Sequence, residues 1–312
     1  MEIRQIPGSK YLFMVHIIDL KFQGATESIA AFLMDSDIGP ILFETGPFST
    51  FETLTLEIEK IGYAITDIKH VFISHIHFDH AGAAWKFAEH GAKIYVHPAG
   101  LPHLNNPEKL WGSAVRIYGA SMEKLWGVMK PISQDRLIPL IHLESIHLGE
   151  FEIKSLHTPG HAIHHIAFSV NDIVFGGDVA GVCIGTGPVV PPCPPPDIHI
   201  EDWCKSIQLI RNIHPKYLYL THFGLVQLPV NEHLNVLENT LLKYADWVLE
   251  KMKIESDISK IIDSFQDMVE ELWLEKKMDE NVIMRYSLAN PSFMTVSGLV
   301  RYWTKVKGVK WN

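Results

Sequence analysis

The period of the apolar positions changes several times along the first third of the chain. Residues 10–18, 28–34 and 39–44 are short runs rich in β-forming side chains, each bounded by Gly, Pro or Asp, and they read as strands. Residues 51–61 carry apolar side chains at helical spacing. Residues 68–74 (IKHVFIS) form a near-continuous apolar run, the pattern of a strand covered on both faces. A helix is predicted over 80–90 and another strand over 93–96. Strands that alternate with helices in this way specify a layered α/β fold.

Residues 98–132 depart from that pattern. Trp111, Tyr118, Met122, Leu125, Trp126 and Met129 recur at roughly helical spacing, which predicts an inserted helical segment. A second β-rich stretch follows, with strands expected over 136–140, 146–148, 151–156, 165–170 and 172–175. Two β-rich halves, each with helices, imply an αββα four-layer sandwich, with two sheets inside and helices outside. Residues 185–196 (GTGPVVPPCPPP) make an irregular loop, because Pro supplies no amide donor and locks φ. Beyond Gly224 the spacing is helical over 231–253 and 256–278. The expected organisation is a domain over 1–224, with the insert at 98–132, and a helical C-terminal extension over 225–312.

Composition narrows the function classes. The chain has 312 residues, 47% apolar and 20% charged, enough to bury a large core. Its formal net charge of −9 offers no broad cationic field for a polyanion, so no nucleic-acid partner is expected. The one basic cluster, Arg301, Lys305, Lys307 and Lys310, reads as a small solvated tail. Three cysteines, Cys183, Cys193 and Cys204, form no Cys-x-x-Cys pair and no disulfide framework. The first twenty residues reach Asp19 before they can span a bilayer, and they lack a basic start and a small-residue cleavage site. No run approaches the ~18 consecutive apolar residues of a membrane helix. The expectation is a cytoplasmic protein with a small-molecule substrate and no membrane partner. The apolar helices of the extension offer a surface for a homodimer.

Eighteen histidines are unusual, and their placement is informative. Ser74-His75-Ile76-His77-Phe78-Asp79-His80 places four strong nitrogen and oxygen ligands in six residues, directly after the buried strand at 68–74. Packing does not explain such a run, and Ile76 and Phe78 would turn away to anchor it in the core. Imidazole and carboxylate are the ligand set of zinc and of related ions such as iron or manganese. Strand C-terminal edges are where α/β sheets place their sites.

At this point the chain resembles the metallo-β-lactamase-fold hydrolase superfamily, which includes glyoxalase II and many lactonases. Three further motifs follow in the family's order: Thr158-Pro159-Gly160-His161, Phe175-Gly176-Gly177-Asp178 and Thr221-His222. The resemblance covers residues 28–224. It implies that His75, His77 and His161 hold a first metal, that Asp79, His80 and His222 hold a second, and that Asp178 bridges them. Asp79 and Asp178 are then the carboxylates expected to take part in catalysis. The family's early strand usually ends in Asp-x-Gly, whereas this chain has Glu44-Thr45-Gly46. Glu44 is therefore read as a residue that orients a ligand rather than as a ligand itself.

The implied cofactor is a pair of divalent metal ions, Zn2+ first, with Fe or Mn as alternatives. A bound ion lowers the pKa of water from 15.7 to about 7, on the order of 12 kcal/mol of hydroxide stabilisation. Hydroxide held between two ions would attack a small ester, lactone or thioester, with promiscuity towards phosphoesters or β-lactams. The sequence has no Gly-x-Ser-x-Gly elbow to provide a serine nucleophile. The alternatives at the same ligand set are a metal-dependent nuclease, disfavoured by the acidic charge, and an iron-dependent oxidoreductase. His164 and His165 read as hydrogen-bonded structural imidazoles. The aromatic face of residues 111–129 reads as core packing or as a roof over the cleft, and the Pro-rich loop as a connector or a pocket wall.

Overall fold

The computed structural model describes residues 14–311. The first four residues of the strand expected over 10–18 lie outside that range. Its remainder is β1 (Val15–Asp19), which pairs antiparallel with β2 (Ala30–Met34). β3 (Ile41–Phe43), β4 (His70–Phe72), β5 (Lys93–Val96) and β6 (Leu137–Pro139) follow, and the first sheet runs β1-β2-β3-β4-β5-β6. From β3 to β6 the strands are parallel. The second sheet contains β7 (Ser145–Leu148), β8 (Phe151–His157), β9 (Ile166–Val170), β10 (Ile173–Phe175), β11 (Tyr217–Leu220) and β12 (Gly224–Leu225), in the order β12-β11-β10-β9-β8-β7.

Each central strand alternates between two apolar environments, which is why its sequence is apolar throughout. Phe43, Phe72 and Tyr95 of the first sheet meet Phe168, Phe175 and Tyr219 of the second in the layer between them. Phe43 stacks on Phe175 with ring centroids 3.9 Å apart, and Phe72 stacks on Tyr95 at 4.3 Å. Intervening residues face the helices. Leu42, Val71 and Ile94 pack with Leu54 and Ile58 of α1 (Phe51–Ile61) and with Trp85 and Phe87 of α3 (Ala84–Glu89). The helix expected over 80–90 is therefore two pieces, α2 (Phe78–Ala81) and α3.

The insert forms α4 (Leu101–Asn105), α5 (Glu108–Tyr118) and α6 (Met122–Trp126), with Ala114, Met122 and Trp126 in the same core layer. The fold is the αββα sandwich expected from the sequence. Elements beyond those expected include α7 (Ile200–Ile213), β11, α10 (Glu280–Ala289) and α11 (Ser292–Arg301). α8 (Val230–Met252) and α9 (Ile258–Glu275) occupy the two predicted helical stretches of the extension.

The extension covers the second sheet. Leu234, Leu237 and Leu241 of α8, Phe265 of α9, and Val296 and Leu299 of α11 share one buried cluster with Val174, Leu218 and Leu220. These helix faces pack within a single chain, while Val236 and Leu242 of α8 and Leu274 of α9 stay exposed. The four side chains of the basic cluster are exposed, as expected of a solvated segment, and two of them find partners. Lys307 Nζ lies 2.5 Å from Glu201 Oε1, and Arg301 Nε donates to the Pro196 carbonyl at 3.1 Å. Among the described residues no helix is long and apolar enough to cross a membrane.

Phe43 is the pivot of the inter-sheet layer. Phe43→Ala is expected to lower stability by about 3–5 kcal/mol, the usual cost of an aromatic cavity. Chemical denaturation read by tryptophan fluorescence checks this, and a loss below about 1 kcal/mol would contradict the packing described.

Candidate metal centre

Strand direction decides where the polar motifs meet. β9 is antiparallel to β8 and to β10, and β10 is parallel to β11, so β8, β10 and β11 all point the same way. Each delivers one motif at its C-terminal end: His161 after β8, Asp178 after β10 and His222 after β11. From the first sheet β4 delivers His75, His77, Asp79 and His80, and its parallel neighbour β3 delivers Glu44. Only His75 and His77 sit on a loop. Asp79 and His80 fall on the single turn α2, which His77 caps. Ile76 and Phe78 are buried in the outer apolar layer, anchoring the run as their spacing predicts.

All seven sequence-predicted ligands converge at this edge. Nδ1 of His77 lies 2.8 Å from Nε2 of His75, and Nε2 of His161 lies 3.2 Å from each of those atoms. Asp79, His80 and His222 form a second triad, whose ligand atoms lie within 4.8 Å of one another. Asp178 stands between the two. Its Oδ2 is 3.4 Å from His161 Nε2, while its Oδ1 is 3.3 Å from His80 Nε2 and 3.5 Å from His222 Nε2.

The outer ring nitrogens are held by neighbours. His161 Nδ1 donates to the Pro192 carbonyl at 2.8 Å, and His222 Nδ1 to the Ser28 carbonyl at 2.7 Å. His80 Nδ1 lies 3.2 Å from Glu44 Oε1, and Ser74 Oγ lies 3.0 Å from His75 Nδ1. These partners put the hydrogens on Nδ1 and turn the Nε2 lone pairs inward. There, His80 Nε2, His222 Nε2 and Asp178 Oδ1 are buried with no hydrogen-bond partner. Orphaned buried lone pairs are costly, and a cation among them removes the cost. The donor set of imidazoles and carboxylates therefore fits a divalent metal centre.

Charge within the bare site points the same way. Burial, with His161 beside it, pushes His77 down to about 3, and burial among other imidazoles holds His75 well below its ordinary value. Burial also disfavours charge on His80, but the carboxylates of Asp178, Asp79 and Glu44 outweigh it and raise that imidazole well above its usual range. Burial would raise Asp79, yet His80 and His222 hold its carboxyl at about 2. Neutral lone pairs thus face one side of Asp178, and the anionic side attracts positive charge.

Glu44 is buried at φ +64°, a left-handed conformation rare for a non-glycine residue. It reaches His80 and also accepts the Ser74 backbone N–H at 3.3 Å. It is an orienting residue, as its position in the sequence implied. His165 is structural: Nε2 accepts the Val179 N–H at 3.3 Å and Nδ1 donates to Thr158 Oγ1 at 2.8 Å. His164 is buried against His77, with ring centroids 5.7 Å apart.

The family motifs recur over a long, continuous span. Residues 26–222 match the metallo-beta-lactamase superfamily. The chain belongs to that superfamily. A metallo-beta-lactamase fold-containing protein of Sulfurisphaera tokodaii is 31% identical over 202 residues, which are 59% of this chain and 74% of that protein. A hydroxyacylglutathione hydrolase of Shewanella denitrificans is 24% identical over 182 residues, 57% of each chain. A metallo-beta-lactamase family protein from Thermus thermophilus shares the fold at a TM-score of 0.67 and 17% identity, over 95% of both chains. That coverage takes in helices beyond the matched span.

Within this superfamily site, Trp203 was not singled out by the sequence. It opens α7, donates from Nε1 to the Val179 carbonyl at 2.8 Å and meets the His161 ring edge-on at 5.7 Å. Ile200, Trp203, Ile207 and Ile210 repeat at helical spacing and are all buried, a signal that was available. Gly160 exists to admit this tryptophan. It has φ +133°, and a Cβ there would lie 2.3 Å from the Trp203 Cα. Gly160→Ala is expected to cost about 1–3 kcal/mol by overpacking, because backbone cannot yield as a side chain would. A thermal melt unchanged from the parent protein would contradict that close approach.

Proposed function

We propose that the protein is a metal-dependent hydrolase of a small ester, thioester or lactone. On this reading His75, His77 and His161 hold one divalent ion, Asp79, His80 and His222 hold a second, and Asp178 lies between them. The observation that carries it is the set of buried, partnerless atoms on His80, His222 and Asp178, aimed into one space. Superfamily membership and the relatives named as hydrolases support the reaction class. Zn2+ suits the donor set, and Fe or Mn would also be accepted by it.

Divalent ions in those positions supply a water nucleophile near neutral pH and polarise a carbonyl. The chain's own residues do the rest. Glu44, Ser74 and the carbonyls of Ser28 and Pro192 fix the ring orientations, which preorganises the site before substrate arrives. Asp79 lines the cavity above the site, its Oδ2 3.5 Å from His222 Nε2, and would orient the attacking water by accepting a hydrogen bond from it. The proton that the water loses would end on the leaving oxygen or sulfur. No cysteine competes as nucleophile. Burial raises Cys183 and Cys193, and burial with Glu238 nearby raises Cys204 to about 11, so all three remain thiols.

Two measurements test the assignment. His80→Ala or Asp178→Ala is expected to lower kcat/KM by about 10³-fold, equivalent to about 4 kcal/mol, with the circular dichroism spectrum retained. Chelation should abolish hydrolysis and added Zn2+ should restore it, whereas turnover by metal-stripped protein would overturn the proposal. Glu44→Ala should weaken Zn2+ binding by about 10–100-fold, read by competition with a chromogenic chelator, and an unchanged affinity would remove Glu44 from the metal site.

A further inference from the structure

A cavity of about 350 Å³ opens onto His77, Asp79 and Asp178. Its walls come from three distant stretches of the chain. α5 and α6 contribute Leu110 and Trp126, the Pro-rich loop contributes Pro194, and the α10–α11 junction contributes Leu288 and Phe293. The junction lies outside the span shared with the superfamily, residues 26–222. Loop and extension therefore shape the cavity, whereas the family motifs shape only its floor.

Among the described residues the lining holds no Lys and no Arg. Outside the lining, Arg116 Nη2 donates to Ser113 Oγ at 3.0 Å and Arg301 Nε to the Pro196 carbonyl at 3.1 Å, so these charges sit at the rim and not along the wall. The ionisable groups that do line the cavity are His77, Asp79, Asp178 and Tyr118. An anionic substituent against these walls would give up its hydration with no cationic side chain in the wall itself to replace it, whereas an apolar one gains by leaving water. Recognition of carboxylates and phosphates normally relies on Arg or Lys.

We infer that the substrate is a neutral ester, thioester or lactone, apolar along the portion held by the cavity, and that substrates with a carboxylate or phosphate on that portion are rejected. Glutathione thioesters and β-lactams fall in the rejected class, even though hydroxyacylglutathione hydrolases are among the relatives. This specificity rests on the hydrolase reading above. The wall at Leu288 and Phe293 is its specificity-determining element, acting by exclusion and not by contact with the reacting bond.

The test compares p-nitrophenyl decanoate with the p-nitrophenyl monoester of decanedioic acid on the metal-loaded protein. The neutral ester is expected to have a kcat/KM at least about 100-fold higher. Phe293→Lys, with Leu288→Lys as an independent second variant, should shrink that ratio at least tenfold by improving the anionic ester. Melting curves check that both variants are folded. If the anionic ester matches the neutral one within tenfold in the parent protein, or if both variants leave the ratio unchanged, the inference fails while the hydrolase reading stands. If neither ester turns over, the hydrolase reading fails for this class. Calorimetric binding of decan-2-one against 9-oxodecanoate then decides the cavity's preference, and tighter binding of the acid would overturn it.

Discussion

Nε2 of His161 and Nδ1 of His77 face each other across 3.2 Å, and beyond Asp178 the Nε2 atoms of His80 and His222 are buried with no partner. The outer nitrogens of His161, His222 and His80 are already fixed as donors by the Pro192 and Ser28 carbonyls and Glu44, so their inner lone pairs cannot be satisfied by flipping the rings. Water would satisfy some of them, but imidazoles crowded on one side and carboxylates on the other form a donor set suited to cations. This collection of buried lone pairs is the costliest local feature of the structure, and much of the fold serves to hold it together.

Two sheets of mixed direction are suited to that task. β8, β10 and β11 end at one edge, and β4 brings the opposite sheet's ligands to the same edge. Phe43 stacked on Phe72 and Phe175, with Phe168 edge-on to Phe72, fixes the spacing of the sheets directly behind it. Backbone hydrogen bonds join the ligand loops across the gap: Ile166 N–H donates to the Ser74 carbonyl at 2.7 Å and Ala30 N–H to the Thr221 carbonyl at 2.8 Å. Rigidity behind the site and a shaped cavity in front of it are separable properties, and different segments supply them.

The candidate site was legible in the sequence because the run at 75–80 is a short local motif at the end of an apolar strand, and the resemblance to the family then picked out His161, Asp178 and His222. The sandwich was legible for a similar reason: period-two and period-3.6 stretches follow one another with clear Gly and Pro boundaries. α7 and β11 went unassigned although Ile200, Trp203, Ile207 and Ile210 and the YLYL run of 217–220 carry the periodicity, since both lie between a Pro-rich loop and the last His motif. α11 is harder in principle. Gly298 weakens its helical signal, and the reason for that glycine is distant: a Cβ there would lie 1.9 Å from the Cys193 carbonyl oxygen. Helix propensity is sacrificed for a close contact that only the tertiary structure reveals. The pairing of Lys307 with Glu201 is likewise invisible locally, because the two are about 100 residues apart in the chain.

Specificity lies beyond what local motifs encode. The cavity walls join residues near 110, 194 and 290; the aromatic insert and the Pro-rich loop were open to a role in the cleft, whereas the segment near 290 has no signature of its own. Their common property, a lining that holds no lysine or arginine among the described residues, emerges only when the three are brought side by side. In a chain of net charge −9 the negative field does not favour anionic ligands at long range either. The floor of the cavity and its walls therefore answer different questions. Buried lone pairs on the floor set the class of chemistry the site supports, and the walls set which substrates can reach it without losing hydration they cannot recover.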